Sequence, residues 1–173
     1  ANLVVHGDRI QLDLINPTRD KSGKYKVTMK NAQGKCEKFI DINIMDKPTP
    51  PLNVKVNNVF QDNCVVNWAE PNDNGGTPIK KYIVECMDTT SGNGTWSPVA
   101  STDDGNTKKI KVEHLTPLHK YRFRVVAVNK IGPSDPGEMK GPDILMKDPW
   151  GELSRVVNLS KIFPAKLFLD YAE

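Results

Sequence analysis

Apolar and polar residues trade places at every second position through much of this chain. Ile10, Leu12 and Leu14 alternate with Arg9, Gln11 and Asp13, and Tyr25, Val27 and Met29 alternate with Lys24, Lys26, Thr28 and Lys30. Ile40, Ile42 and Ile44 repeat the pattern. A period of two puts one set of side chains on one face of a strand. Between the runs lie Asn16-Pro17-Thr18-Arg19-Asp20 and Asn31-Ala32-Gln33-Gly34, which have the chemistry of turns. Residues 1–46 therefore predict a three-stranded antiparallel meander with one apolar face, which needs an opposing sheet to cover it. Isolated small sheets are marginal, so this segment is expected to be mobile or aggregation-prone on its own.

Lys47-Pro48-Thr49-Pro50-Pro51 interrupts the alternation. Each proline fixes φ and steers its predecessor away from helix, so residues 47–51 form a stiff, extended linker between domains. Residues 48–148 then predict seven short strands. Leu52, Val54 and Val56 open the first; Cys64, Val66 and Trp68 point inward from the second; Tyr82, Val84 and Cys86 do so from the third. Residues 95–99, then Ile110 and Val112, supply two more. Tyr121, Phe123, Val125 and Ala127 share one face of the sixth, and the turn Asn129 to Ser134 leads into the last. About 100 residues with this rhythm of turns fit a β-sandwich closed around Trp68. The tail, residues 149–173, departs from the pattern: weak helical spacing of Leu153, Val156 and Val157 stops at Pro164, so an irregular or weakly helical segment is expected.

Composition agrees with an all-β reading. Thirteen prolines and twelve glycines punctuate the 173 residues too often for long helices. A net charge of +3 lacks the dense basic patch of a nucleic-acid binder. No apolar run approaches the roughly 20 residues that cross a bilayer. No signal-peptide pattern opens the chain, and residue 1 is expected to fall inside a domain. Cys36, Cys64 and Cys86 are odd in number and lack C-x-x-C spacing, so reduced, buried thiols are expected.

Two resemblances sharpen the picture. Asp20-Lys21-Ser22-Gly23-Lys24-Tyr25 resembles the D-x-[ST]-G-x-Y signature before the sixth strand of an immunoglobulin domain, with Tyr25 at the tyrosine corner. Val27 stands where secreted antibody domains have a cysteine, as in intracellular muscle proteins. Only the last strands of that domain are present, so residues 1–46 read as its C-terminal half. Residues 48–148 resemble a fibronectin type III domain through Trp68, the run Asn72 to Pro78, Tyr82, Leu115, Tyr121 and the run Ala127 to Ser134. More narrowly, Trp68-Ala69-Glu70-Pro71, Gly75-Gly76-Thr77-Pro78-Ile79 and Tyr82-Ile83-Val84-Glu85 resemble the titin, twitchin and projectin group of giant muscle proteins.

Chemistry beyond folding is sparse. His6, His114 and His119 sit in turns or exposed strands without a paired nucleophile, and are expected to be solvent-facing. Gly92-Asn93-Gly94 lacks the Gly-Lys-Ser/Thr of a phosphate loop. Asp103-Asp104 cannot supply the six or so oxygens that calcium takes. The sequons at Asn93 and Asn158 matter only in a secreted chain. No catalytic residue, cofactor or metal ligand is therefore expected, and no small-molecule substrate. If Tyr82 and Tyr121 point inward, Lys81, Arg122 and Arg124 point outward together, with Glu85 partly neutralising them. That basic stripe is the candidate contact for an acidic partner such as a myosin filament. The resemblance implies a cytoplasmic, sarcomeric scaffold module that organises thick filaments and bears force, whose parent protein carries a kinase domain elsewhere. The alternative is an adhesion or receptor ectodomain built from the same modules.

Overall fold

The computed structural model describes residues 2–6, 9–92 and 94–148. The tail expected over 149–173 and both sequon asparagines lie outside them. The N-terminal segment holds β1 (Asn2–His6), β2 (Arg9–Asp13), a single 3-10 turn at Arg19–Lys21, β3 (Gly23–Asn31) and β4 (Gly34–Ile42). β1 pairs with β2 and β3 with β4, both antiparallel, as two separate two-stranded sheets.

This corrects the meander. Side-chain alternation tells which residues share a face, whereas pairing is set by the turns. Ala32-Gln33 closes β3 directly onto β4. Residues 14–22, with Asn16 at φ 48° and the 3-10 turn, instead carry the chain away from β2. β1 was also not foreseen. Wherever burial is described before residue 47, no side chain is buried; Phe39 and Ile15 are each 60% exposed.

The remainder contains β5 (Leu52–Asn57), β6 (Cys64–Ala69), β7 (Lys81–Asp88), β8 (Ser97–Ser101), β9 (Lys109–Val112), β10 (Lys120–Val128), β11 (Gly137–Glu138) and β12 (Ile144–Leu145). β5, β6 and β9 form one sheet. The other runs β11-β10-β7-β8, with β12 also on β10. The seventh strand is thus split in two, both pieces pairing with β10.

The core lies between these sheets and is built from the foreseen alternations. Cys64, Val66 and Trp68 meet Tyr82, Val84, Cys86, Tyr121, Phe123, Val125 and Ala127, all buried. The Trp68 and Tyr82 rings are 5.2 Å apart, tilted by 53°, a geometry that suits aromatic quadrupoles. Leu115 is buried in the same core. Of the three residues that open the first strand, Val54 is buried and Leu52 exposed, and the register of β5 shifts between Leu52 and Lys55. Met139 and Met146 fill core positions that no alternation announced. Cys64 and Cys86 are buried free thiols, but Cys36 is exposed on β4, against expectation, because nothing among the described residues covers that hairpin.

Candidate protein-binding face and junction

Strands β7 and β10 are paired in register from Tyr121↔Asp88 to Val128↔Lys81. With Tyr82 and Tyr121 inward, Lys81, Glu85, Arg122 and Arg124 all belong to the outward set. The foreseen stripe therefore lies on one face, but its charges are largely spoken for. Arg124 sits opposite Glu85, its Nε 2.5 Å from Oε2, with the guanidinium 4.3 Å from the centre of the Trp96 ring. Arg122 Nη1 lies 3.3 Å from Asp143 Oδ1, while Asp143 Oδ2 accepts the Thr89 hydroxyl at 2.7 Å. Lys81 is exposed at the far end of the ladder and has no ion pair among the described residues. The neutralisation by Glu85 was foreseen; Asp143 and Trp96 were not, because loop residues follow no periodicity.

His119 overturns the expectation of three solvent-facing histidines. It is half-buried, its Nδ1 2.7 Å from Asp88 Oδ2, and its ring stacks on Tyr121 at 6.4 Å. Burial pushes the Asp88 carboxyl up, but hydrogen bonds from His119 and from the backbone N–H groups of Ser91 and Thr90 outweigh it and hold the pKa below its ordinary value. The pair fixes the turn after β7. No serine, threonine or cysteine among the described residues bonds to the imidazole, so the nucleophile-base contact of covalent catalysis is not formed there. His114 is exposed, at φ 62°. Asp104 caps its own turn, accepting from Asn106 N and Thr107 N at 2.7 Å each; those two backbone bonds lower its pKa. Among the described residues no group of three or more His, Cys, Asp or Glu is placed to hold a metal ion.

A densely bonded polar site lies where the N-terminal segment meets the loop after β6. Asp46 N donates to Gly75 O at 2.9 Å, and the Asn129 amide donates to Asp46 O at 2.7 Å and to Asn74 O at 2.9 Å. Asn43 Nδ2 donates to Gly76 O at 3.0 Å. Arg19 bridges the two parts, with Nε on Asp73 Oδ2 at 3.2 Å and Nη1 on Ile44 O at 3.1 Å. Just beyond Asp46, Thr49 N donates to Asp73 O at 2.9 Å.

Two local features make this possible. Gly75 has φ 74°, and a Cβ there would overlap the Asp46 carbonyl oxygen, so only glycine permits the approach. Asn129 is only 3% exposed, and its Oδ1 accepts Ile131 N and Gly132 N while its Nδ2 reaches across the junction. Both residues belong to runs that carried the family resemblance, yet their junction role was not foreseen. Paired glycines after Asn72-Asp73-Asn74 signal a tight turn, not what the turn touches.

Comparison with known proteins places this geometry. Titin of Drosophila melanogaster is 37% identical over 121 residues, 70% of this chain and 1% of that protein. Slow-type myosin-binding protein C of Homo sapiens is 32% identical over 124 residues, 72% of this chain and 11% of that protein. The crystal structure of titin domains A168-A170 matches with a TM-score of 0.56 and 33% identity, over 76% of this chain and 43% of that one. The chain thus spans only a small fraction of its full-length relatives. Residues 48–140 match the family described as the fibronectin type III domain. With its two facing sheets and Trp68 between them, the chain belongs to the fibronectin type III family, in a form similar to titin.

Proposed function

We propose that the chain is a non-catalytic structural and protein-binding module of a modular sarcomeric scaffold, contributing to thick-filament organisation and to bearing force. The observation that carries this reading is the junction. The titin similarity extends beyond residues 48–140, and side-chain and backbone bonds from Arg19, Asn43 and Asp46 tie the preceding segment to the fibronectin domain. Such a junction passes tension between neighbours instead of leaving a slack linker.

Under this reading residues 1–46 are the C-terminal half of an immunoglobulin-like domain. Two features support it. Tyr25 donates its hydroxyl to Lys21 O at 2.7 Å, the upstream backbone bond of a tyrosine corner. The two hairpins also lie in separate sheets, as the last four strands of such a domain do. Protein partners follow, with myosin first, since one relative is named for binding it. Lys81, Arg122 and Arg124 are the proposed contacts on the β7–β10 face. A cytoplasmic, myofibrillar location follows too, with any kinase domain elsewhere in the parent protein.

The test is co-sedimentation of the 173-residue chain with myosin filaments across a salt series, beside an Arg122→Ser, Arg124→Ser variant. Salt-sensitive binding weakened in the variant is the expected result; binding unaffected by both salt and substitution removes the stripe. Absence of any filament binding, together with a glycan on Asn93 of the native protein, would replace the sarcomeric reading with the cell-surface one.

A further inference from the structure

The strands Leu52–Asn57, Cys64–Ala69 and Lys109–Val112 contain no aspartate or glutamate. Their outward positions are Lys55, Asn57, Val65, Asn67, Lys109 and Lys111, while Val54, Val66 and Val112 face the core. The ladder sets Lys55, Asn67 and Lys109 side by side across all three strands, and Asn57, Val65 and Lys111 in the next outward row. Opposed side chains on one face stand about 4.5–5.5 Å apart at Cβ. Lys55 and Lys109 therefore flank Asn67 in one outward row, and beside it Asn57, Val65, Asn67, Lys109 and Lys111 line a shallow depression.

The paired lysines of this face lie in one row, whereas on the opposite sheet both arginines are engaged and Lys81, at the far end of the ladder, is open. Lys55 and Lys109 have no carboxylate partner among the described residues, whereas Arg122 and Arg124 hold Asp143 and Glu85. Lys111 is engaged by Glu113 at 2.5 Å, with Asp62 nearby.

We propose that the outer face of β5, β6 and β9 docks an acidic polypeptide segment. Its carboxylates meet Lys55 and Lys109, its backbone amides meet Asn57 and Asn67, and an apolar side chain rests on Val65. Lone ammonium groups act as point charges for carboxylates, and carboxamides both donate and accept, as a peptide backbone requires. Nucleic acid is disfavoured, since the face offers no arginine and no aromatic ring for base stacking. This proposal rests on the protein-binding reading above and names the chemistry of the partner and a face for it.

The experiment follows backbone amide shifts of the 173-residue chain titrated with a deca-glutamate peptide, with deca-glutamine and with a ten-nucleotide oligothymidylate. Shifts centred on residues 55, 67, 109 and 111 are expected with deca-glutamate alone. Lys55→Gln with Lys109→Gln weakens that binding about fivefold or more, and Lys55→Arg with Lys109→Arg restores most of it. Shifts centred instead on Arg122 and Arg124, equal binding of deca-glutamine, or a glutamine variant within twofold of wild type overturns the proposal. Oligothymidylate binding the same residues as tightly makes this a general polyanion face and overturns it too. Deca-glutamate binding that persists where myosin binding fails overturns the filament reading alone.

Discussion

The Tyr121 hydroxyl accepts the backbone N–H of Thr116 at 3.1 Å, whereas the buried Tyr82 hydroxyl makes no hydrogen bond of ordinary length among the described residues and has the Lys108 ammonium near it. The two phenols lie in one core, yet only the first repays its desolvation. The Lys108 ammonium lies over the Tyr82 ring, 4.9 Å from its centre, and donates to Gly105 O.

Removing the two hydroxyls should therefore have opposite effects. Tyr121→Phe leaves Thr116 N without its partner and costs about 1–2 kcal/mol, a fall in Tm of about 4–8 °C per kcal/mol for a domain of this size. Tyr82→Phe removes an unpaired buried hydroxyl and leaves stability unchanged or raised. Thermal and urea unfolding read both; equal destabilisation by the two substitutions contradicts the assignment.

The Asp46–Gly75 contact makes a local prediction. Gly75→Ala places a methyl group on the Asp46 carbonyl, at a φ that L-residues rarely adopt, so the junction opens. In wild type, hydrogen exchange should find slow amides across β6, β7 and β10. It should find fast ones in β3 and β4, whose described side chains are not buried. Asp46 N–H, bonded to Gly75 O, is protected in wild type and fast in the variant. Strong protection throughout the N-terminal hairpins, or a protected Asp46 in Gly75→Ala, contradicts this.

Burial sets the behaviour of the thiols. It pushes Cys64 up to about 12, helped by the charge of Cys86, and pushes Cys86 up to about 11, helped by Asp88. Well below pH 9 both thiols are protonated whether the chain is folded or not, so they give stability no pH dependence there. Above it the unfolded chain loses their protons first, and stability falls between pH 9 and about 12. The slope is at most about 1.4 kcal/mol per pH unit for each thiol. The stability gap between wild type and a Cys64→Ala, Cys86→Ala variant should narrow as pH rises from 9 to 11. A constant gap rejects the mechanism. At neutral pH a thiol reagent should label Cys36 at once, and Cys64 and Cys86 only on unfolding.

Much of the sandwich was written in period-two patterning. The alternation through Cys64, Val66 and Trp68 and from Tyr121 to Ala127 named core residues correctly, because a strand buried on one face must alternate. Met139 and Met146 escaped, since they follow short or broken strands with too few residues to show a period. The stripe was legible as a shared face, but not as a set of ion pairs. The carboxylate on Arg122 comes from Asp143, in a loop beyond the reach of any local pattern.

By itself, then, the sequence determined which residues turn inward and which family the domain joins. Each of these follows from local period, turn chemistry or short motifs. Only the tertiary structure decided that the N-terminal strands form two sheets, that Gly75 and Asn129 clasp Asp46, and that open positive charge lies at Lys55 and Lys109. Those outcomes depend on how distant segments meet, and a contact between residues 46 and 129 leaves no trace in the periodicity of either.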